Sequence, residues 1–223
     1  GYGMSETCPV LTLATLKPYM HDWSSDEQIM IRCRTGIPIS GVQLEVVDLE
    51  GPPLAHDGKT TGEVVVRAPW LTQGYFKDKE KSEELWKGGW LHTGDIGFID
   101  AEGYLQITDR LKDVIKTGGE WISSLELEDV ISQLPEVGEV AVIGVPDSKW
   151  GERPLVLVVP KAGSLESLRP ETVQGIVQQS IDNGNLPRFA LPERVLIVES
   201  IAKTSVGKLN KRLLRKEFAK VES

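Results

Sequence analysis

Residues 109–123 read DRLKDVIKTGGEWIS, and the stretch divides the chain into halves of different character. Asp109, Arg110, Lys112, Asp113 and Lys116 crowd its start, Gly118 and Gly119 interrupt it, and Trp121 follows. Such a run is too charged for a buried strand and too broken for one helix, so it predicts a polar connection between two domains. Upstream, VQLEVVD (42–48) alternates apolar and polar residues, GEVVVRA (62–68) is β-branched, and GYLQIT (103–108) is strand-like. Between them, EGPPLAHDGKTTG (50–62) has the chemistry of a surface loop, and DKEKSEELW (78–86) is the one helix expected there.

Downstream the pattern changes. Ser123 stands three residues before Glu126, a capping-box signature that opens a helix over LELEDVISQL (125–134). VGEVAVIGV (137–145) and PLVLVV (154–159) read as strands joined by the turn PDSKWGER (146–153). Pro170 starts a second helix, LPERVLIV (191–198) reads as a strand, and GKLNKRLLRKEFAK (207–220) closes the chain. In that last segment Leu209, Leu213, Leu214 and Phe218 recur at helical spacing, leaving a solvated basic face. The expected fold is α+β: a mostly β part over 1–110, then a small α+β domain over 111–223, with a hinge near 109–113.

Composition narrows the functional classes. The chain has 223 residues, 40% hydrophobic and 26% charged, which predicts an ordinary soluble globular protein of one large or two small domains. No apolar run approaches the roughly 18 residues of a transmembrane segment, and no signal-peptide pattern opens the chain. Through residue 110 there are 17 acids against 10 bases, and beyond it 16 against 15, so no basic field favours nucleic acid as a partner. Cys8 and Cys33 lie far apart in no metal-type spacing, which predicts a reducing, cytoplasmic setting. His21, His56 and His92 are scattered singly, so no histidine metal site is expected.

Each candidate motif is ambiguous alone. In GYGMSE (1–6), Gly3 beside Tyr2 would let backbone approach a flat ligand, while Ser5 and Glu6 suit a phosphate and its Mg²⁺. An ordinary turn explains the same residues. In WLHTGD (90–95), Asp95 suits two ribose hydroxyls or its own backbone. Gly207-Lys208 is not a P-loop, since Ala202 stands where the first glycine belongs and Leu209 replaces Ser/Thr. Nor does KTGGE (116–120) fit the dinucleotide-binding glycine pattern. Lys208 is then a solvated lysine or a cation offered to an anion. A non-enzymatic α+β binding module remains open on these residues.

Taken in order, YGMSE, GEVVVRAPWLTQGYF, GGWLHTGD, DRLKDVIKTGGEWISSLELE, VIGVPDSKWGERP and KTSVGKLNKR resemble the C-terminal part of the adenylate-forming acyl-CoA synthetases. That superfamily also holds firefly luciferase and the peptide-synthetase adenylation domains. The resemblance runs from Gly1 to about Phe218. GGEWISSLELE and SKWGERP look most like the long- and medium-chain fatty-acid–CoA ligases, with aryl or short-chain acid ligases as the alternative.

The resemblance implies an activity in two half-reactions. A fatty acid attacks ATP to give an acyl-adenylate, and coenzyme A thiol then displaces AMP. It implies that Tyr2 stacks on adenine with Gly3 beside it, Ser5 meets the phosphates and Glu6 holds Mg²⁺. Asp95 and Arg110 would contact the ribose. Lys208 would bridge the substrate carboxylate and the α-phosphate. Ala202, where relatives often carry proline, would loosen that loop. Lys112 would be the pivot of a mobile small domain whose Lys116, Gly118, Gly119 and Trp121 face the adenylate in the second step. The glycine-rich ATP loop and most of the acyl pocket are expected on a preceding N-terminal region, through which any homo-oligomer would form. The chain alone is expected to lack ligase activity.

Overall fold

The computed structural model describes residues 1–48, 51–205 and 207–218. The chain divides into two compact units, Gly1–Leu111 and Lys112–Ser223. Among the described residues no helix is long and apolar enough to cross a membrane.

In the first unit, Tyr2–Gly3 (β1), Val10–Leu13 (β2) and Ile37–Pro38 (β3) form a small antiparallel sheet. Gln43–Val47 (β4), Gly62–Arg67 (β5), Leu91–Ile99 (β6) and Leu105–Arg110 (β7) form an antiparallel meander. The alternation in β4 sends Leu44 and Val46 inward, where they meet Val64 and Val66 of β5, Leu91 and Leu105. Lys79–Leu85 (α2) begins where Asp78 accepts the Lys81 N–H at 3.2 Å.

A further helix, Ser25–Arg32 (α1), precedes it where only one helical segment was expected. Its apolar pattern is poor, since Ile29 and Met30 stay exposed and only Ile31 is buried. Its start is written in capping chemistry instead. The Glu27 N–H donates to Ser24 Oγ at 3.4 Å, and the Ser24 N–H donates to Glu27 Oε2 at 2.9 Å.

In the second unit, Ile115–Thr117 (β8) and Glu120–Ile122 (β9) form a hairpin, followed by Ser124–Ser132 (α3). Val137–Asp147 (β10) and Gly151–Pro160 (β11) pair antiparallel along their lengths. Pro170–Asp182 (α4), Arg194–Ile197 (β12) and Lys211–Phe218 (α5) complete the unit. The free edge of β11 is shared: Gly151 pairs with Thr117 of β8, and Leu155–Val158 pair in parallel with β12. Val156 and Val158 face α3 and α4 through Leu127, Ile131, Val173 and Val177, whereas Leu155 and Leu157 face Leu214 of α5. Helices on both faces are why β11 reads as a continuous apolar run rather than an alternating one. The α+β class expected from sequence is the observed one.

The segment 109–123 departs from its sequence reading. The boundary between the units falls within it, but the charge does not exclude strands: the segment ends β7, turns over Leu111–Asp113, and forms the β8–β9 hairpin. Ile115, Thr117 and Ile122 are fully buried while Lys116 points outward, so the charge occupies one face of a half-buried strand. Gly118 and Gly119 are the two-residue hairpin turn, with φ of 59° and 90°, the both-positive geometry that glycine tolerates.

Buried charge fastens α5 to α3 and the sheet. Lys211 Nζ lies 2.6 Å from Glu128 Oε1 and donates to Ser124 Oγ at 2.7 Å, and the Val142 N–H donates to the same carboxylate oxygen at 2.8 Å. Removing the lysine leaves a buried carboxylate without its cation. Lys211→Ala is expected to destabilise the second unit by about 3 kcal/mol, read as a lower urea midpoint with unchanged slope. A midpoint equal to the parent's would show that the pair contributes nothing.

Candidate active site

The first unit gathers the predicted nucleotide residues around a bulge. Glu63 pairs with Ile96 and Val65 with His92, so the single residue Val64 faces Thr93, Gly94 and Asp95 together. Gly94 has φ +68°, a left-handed conformation suited to glycine. Thr93 Oγ1 donates to the Val64 carbonyl at 2.7 Å and accepts the Asp95 N–H at 3.1 Å. The bulge aims the Asp95 carboxylate at Tyr2, whose hydroxyl donates to Oδ2 at 2.5 Å. Arg110, directly opposite Asp95 across β6 and β7, places Nε 3.6 Å from Oδ1. Burial, and then the Asp95 charge, hold the Tyr2 phenol far above its ordinary range, so it remains a donor.

Tyr2 is followed by a sharp turn. Ser5–Thr7 is one turn of 3₁₀ helix, closed where Thr7 Oγ1 accepts the Met4 N–H at 2.9 Å. The smallness of Gly3 is used within the chain: a Cβ there would lie 1.7 Å from the Pro9 carbonyl oxygen. Ser5 is exposed and Glu6 half-buried on this turn. The Tyr75 hydroxyl donates to Glu6 Oε1 at 2.8 Å. Burial, followed by that bond, leaves the Tyr75 phenol pushed up to about 12. Tyr75 is a site neighbour that motif reading passed over, although it stands inside GEVVVRAPWLTQGYF.

Among the described residues no group of three or more His, Cys, Asp or Glu side chains could hold a metal ion. A lone carboxylate such as Glu6 fits Mg²⁺ bound mainly by water and substrate phosphates, which needs only one or two protein carboxylates.

The second unit presents two separate features. On the hairpin, Lys116 and Trp121 are cross-strand partners, with Lys116 Nζ 5.8 Å from the indole centroid. The Gly118 N–H donates to the Trp150 carbonyl at 2.8 Å, and a Cβ on Gly118 would come within 3.0 Å of the Trp150 ring. A Cβ on Gly119 would meet nothing within 4 Å, so that position opens to solvent. Trp150, which sequence reading placed in a simple turn, carries Lys149 4.7 Å from its centroid and packs on Phe189 at 5.9 Å. A tryptophan beside a lysine in that turn was the available signal.

Lys208 is exposed on a loop after Gly207, whose φ is +80°. Its carbonyl accepts the Thr204 N–H at 2.7 Å, and its own N–H donates to Thr204 Oγ1 at 3.2 Å. At the base the Asn210 N–H donates to the Ala202 carbonyl at 2.9 Å, and Lys203 bridges Leu209. Ala202 and Lys203 thus close the loop against Asn210 and Leu209. Residues 219–220 of the basic segment lie outside the described residues.

Two family models match the chain: AMP-binding enzyme over residues 1–76, and AMP-binding enzyme C-terminal domain over 126–208. A long-chain-fatty-acid–CoA ligase of Thermus thermophilus is 41% identical over 98% of the chain. The chain belongs to the adenylate-forming AMP-binding enzymes. Within the acid–CoA ligase superfamily, a 3-methylmercaptopropionyl-CoA ligase of Ruegeria lacuscaerulensis is 39% identical over 97% of the chain. The chain spans 39% of the length of each of these two relatives. Among solved structures, the o-succinylbenzoate CoA synthetase of Bacillus subtilis, in complex with its acyl-adenylate intermediate, matches with a TM-score of 0.78 and 28% identity, over 96% of this chain and 40% of that one.

Within this chain, Tyr2, Asp95 and Arg110 form one contacting cluster, and Ser5 and Glu6 share the adjoining turn. Lys116, Gly118, Gly119 and Trp121 share the hairpin, while Lys208 occupies its own loop. Lys112 is exposed at the start of the second unit.

Proposed function

We infer that the chain is the C-terminal part of an AMP-forming fatty-acid–CoA ligase that uses ATP, Mg²⁺ and coenzyme A. The observation that carries this reading is the Tyr2–Asp95–Arg110 cluster. There a carboxylate is held by a phenol and a guanidinium at the end of a bulge, ready to accept from two vicinal hydroxyls. Ser5 and Glu6 on the next turn suit the phosphates and their cation. Lys208 delivers an ammonium where a carboxylate oxygen attacks the α-phosphorus and pyrophosphate leaves with the P–O bond electrons. Its charge offsets the repulsion between the two anions. Lys116, Trp121 and the open Gly119 position form the face for the thiol-bearing arm in the second half-reaction.

A fatty acid as substrate is supported by the 41% identity to the Thermus ligase. The second reading, a short acid, is favoured by the 39% identity to the methylmercaptopropionyl ligase. Acid-dependent ATP–pyrophosphate exchange by the protein in its full natural length separates them. Medium- and long-chain acids are expected to exceed acetate, methylmercaptopropionate and benzoate in kcat/KM by about tenfold or more, about 1.4 kcal/mol of transition-state binding. A preference for a short or aryl acid would replace the fatty-acid reading. No exchange with any acid would remove the ligase reading altogether.

A further inference from the structure

Glu63 is a buried carboxylate that the two half-reactions do not use. Its position explains how the bulge carrying Asp95 keeps its shape. Where β6 breaks register with β5 over Thr93–Asp95, the Gly94 N–H donates to a side chain, Glu63 Oε1, at 3.1 Å. The other oxygen, Oε2, lies 2.9 Å from Nδ1 of His92, the residue just before the bulge. His92 Nε2 in turn faces the Lys87 carbonyl at 3.0 Å. One carboxylate therefore grips the bulge at both His92 and Gly94. The Gly94 carbonyl accepts the Leu111 N–H at 2.8 Å, so the same residue also fastens the end of the first unit.

We propose that Glu63 is a positioning residue for the nucleotide site, accepting the Gly94 N–H so that Asp95 meets both ribose hydroxyls. This rests on the reading of Asp95 as the ribose ligand. The competing role is generic stability, and the two differ in what they touch. A loss of stability lowers activity alike with every nucleotide. A loss of aim weakens the contact to the ribose hydroxyls alone. What matters is the acceptor oxygen rather than the charge. An amide at position 63 keeps an oxygen for Gly94 and turns its NH₂ toward Nδ1, which accepts in the neutral imidazole while Nε2–H donates to Lys87.

The test is pyrophosphate exchange by the full-length protein, with ATP and with 2′-deoxy-ATP, for Glu63→Ala, Glu63→Gln and Asp95→Ala. Glu63→Ala is expected to raise the ATP KM about tenfold and to shrink the penalty for the deoxy nucleotide toward that of Asp95→Ala. Its KM for the acid should stay at the parental value. Glu63→Gln is expected to keep the parental penalty within about twofold. An unchanged deoxy penalty in a folded Glu63→Ala variant would overturn the proposal while leaving Asp95 its role. A parental penalty in Asp95→Ala would overturn the ribose reading and this proposal with it. Should Glu63→Ala fail to fold, the glutamine variant still decides, because its losing the discrimination would refute the acceptor role.

Discussion

Replacing Lys208 by alanine is expected to slow adenylate formation by about 10²- to 10³-fold, the usual cost of removing one charge-stabilising group from a transition state. Thioester formation from a supplied acyl-adenylate should stay within about threefold of the parent, because no second anion then has to be brought to phosphorus. The structure makes this a clean substitution. Lys208 is exposed, and the bonds that shape its loop run through its backbone N–H and carbonyl, which alanine retains. Pyrophosphate exchange measures the first step, and release of AMP on adding coenzyme A to the isolated adenylate measures the second. Equal loss in both would show that Lys208 is structural or serves both steps.

The second large effect concerns Lys112, with the opposite selectivity. On one side the Leu111 N–H is bonded to Gly94 at 2.8 Å, inside the first unit. On the other, Asp113 accepts from Arg215 of α5 at 2.7 Å, inside the second. Lys112 is the residue between these two anchors, and its backbone torsions are where a rotation between half-reactions would be absorbed. Proline fixes φ near −65° and restricts the residue before it. Lys112→Pro is therefore expected to lower the thioester-forming rate by about a hundredfold while adenylation falls far less. Neither rate changing would dismiss the hinge; adenylation falling more than thioesterification would mean that proline had frozen the wrong state.

Much of the fold was legible along the chain because its signals are local. The alternation in β4, the Ser123 cap of α3, Pro170 at the start of α4 and the amphipathic spacing of α5 each lie within a few residues. Capping also announces α1, through Ser24 and Glu27, but exposed Ile29 and Met30 mask it for a reading based on apolar period. The hairpin at 115–122 was hidden for a related reason. Lys116 and Glu120 raise the local charge, while the alternation of Ile115, Lys116 and Thr117 and the paired glycines carry the strand signal beneath it. The motifs that name the family were legible too, since they are contiguous.

What sequence could not disclose is how distant motifs share one carboxylate. Tyr2 and Asp95 are 93 residues apart, and only strand pairing and a bulge bring the hydroxyl within 2.5 Å of the acid. Gly3 looks like an opening for a ligand, yet a Cβ there would strike the chain itself, 1.7 Å from the Pro9 carbonyl oxygen. Whether a glycine makes room for a ligand or for its own chain depends on which atoms stand opposite, and that is a property of packing. The order of residues along this chain identified its family and most of its strands and helices, through short-range periodicity and contiguous motifs. Tertiary structure alone decided which polar groups meet. A hydrogen bond is settled within a few tenths of an ångström, and such distances arise only when separate strands are in register.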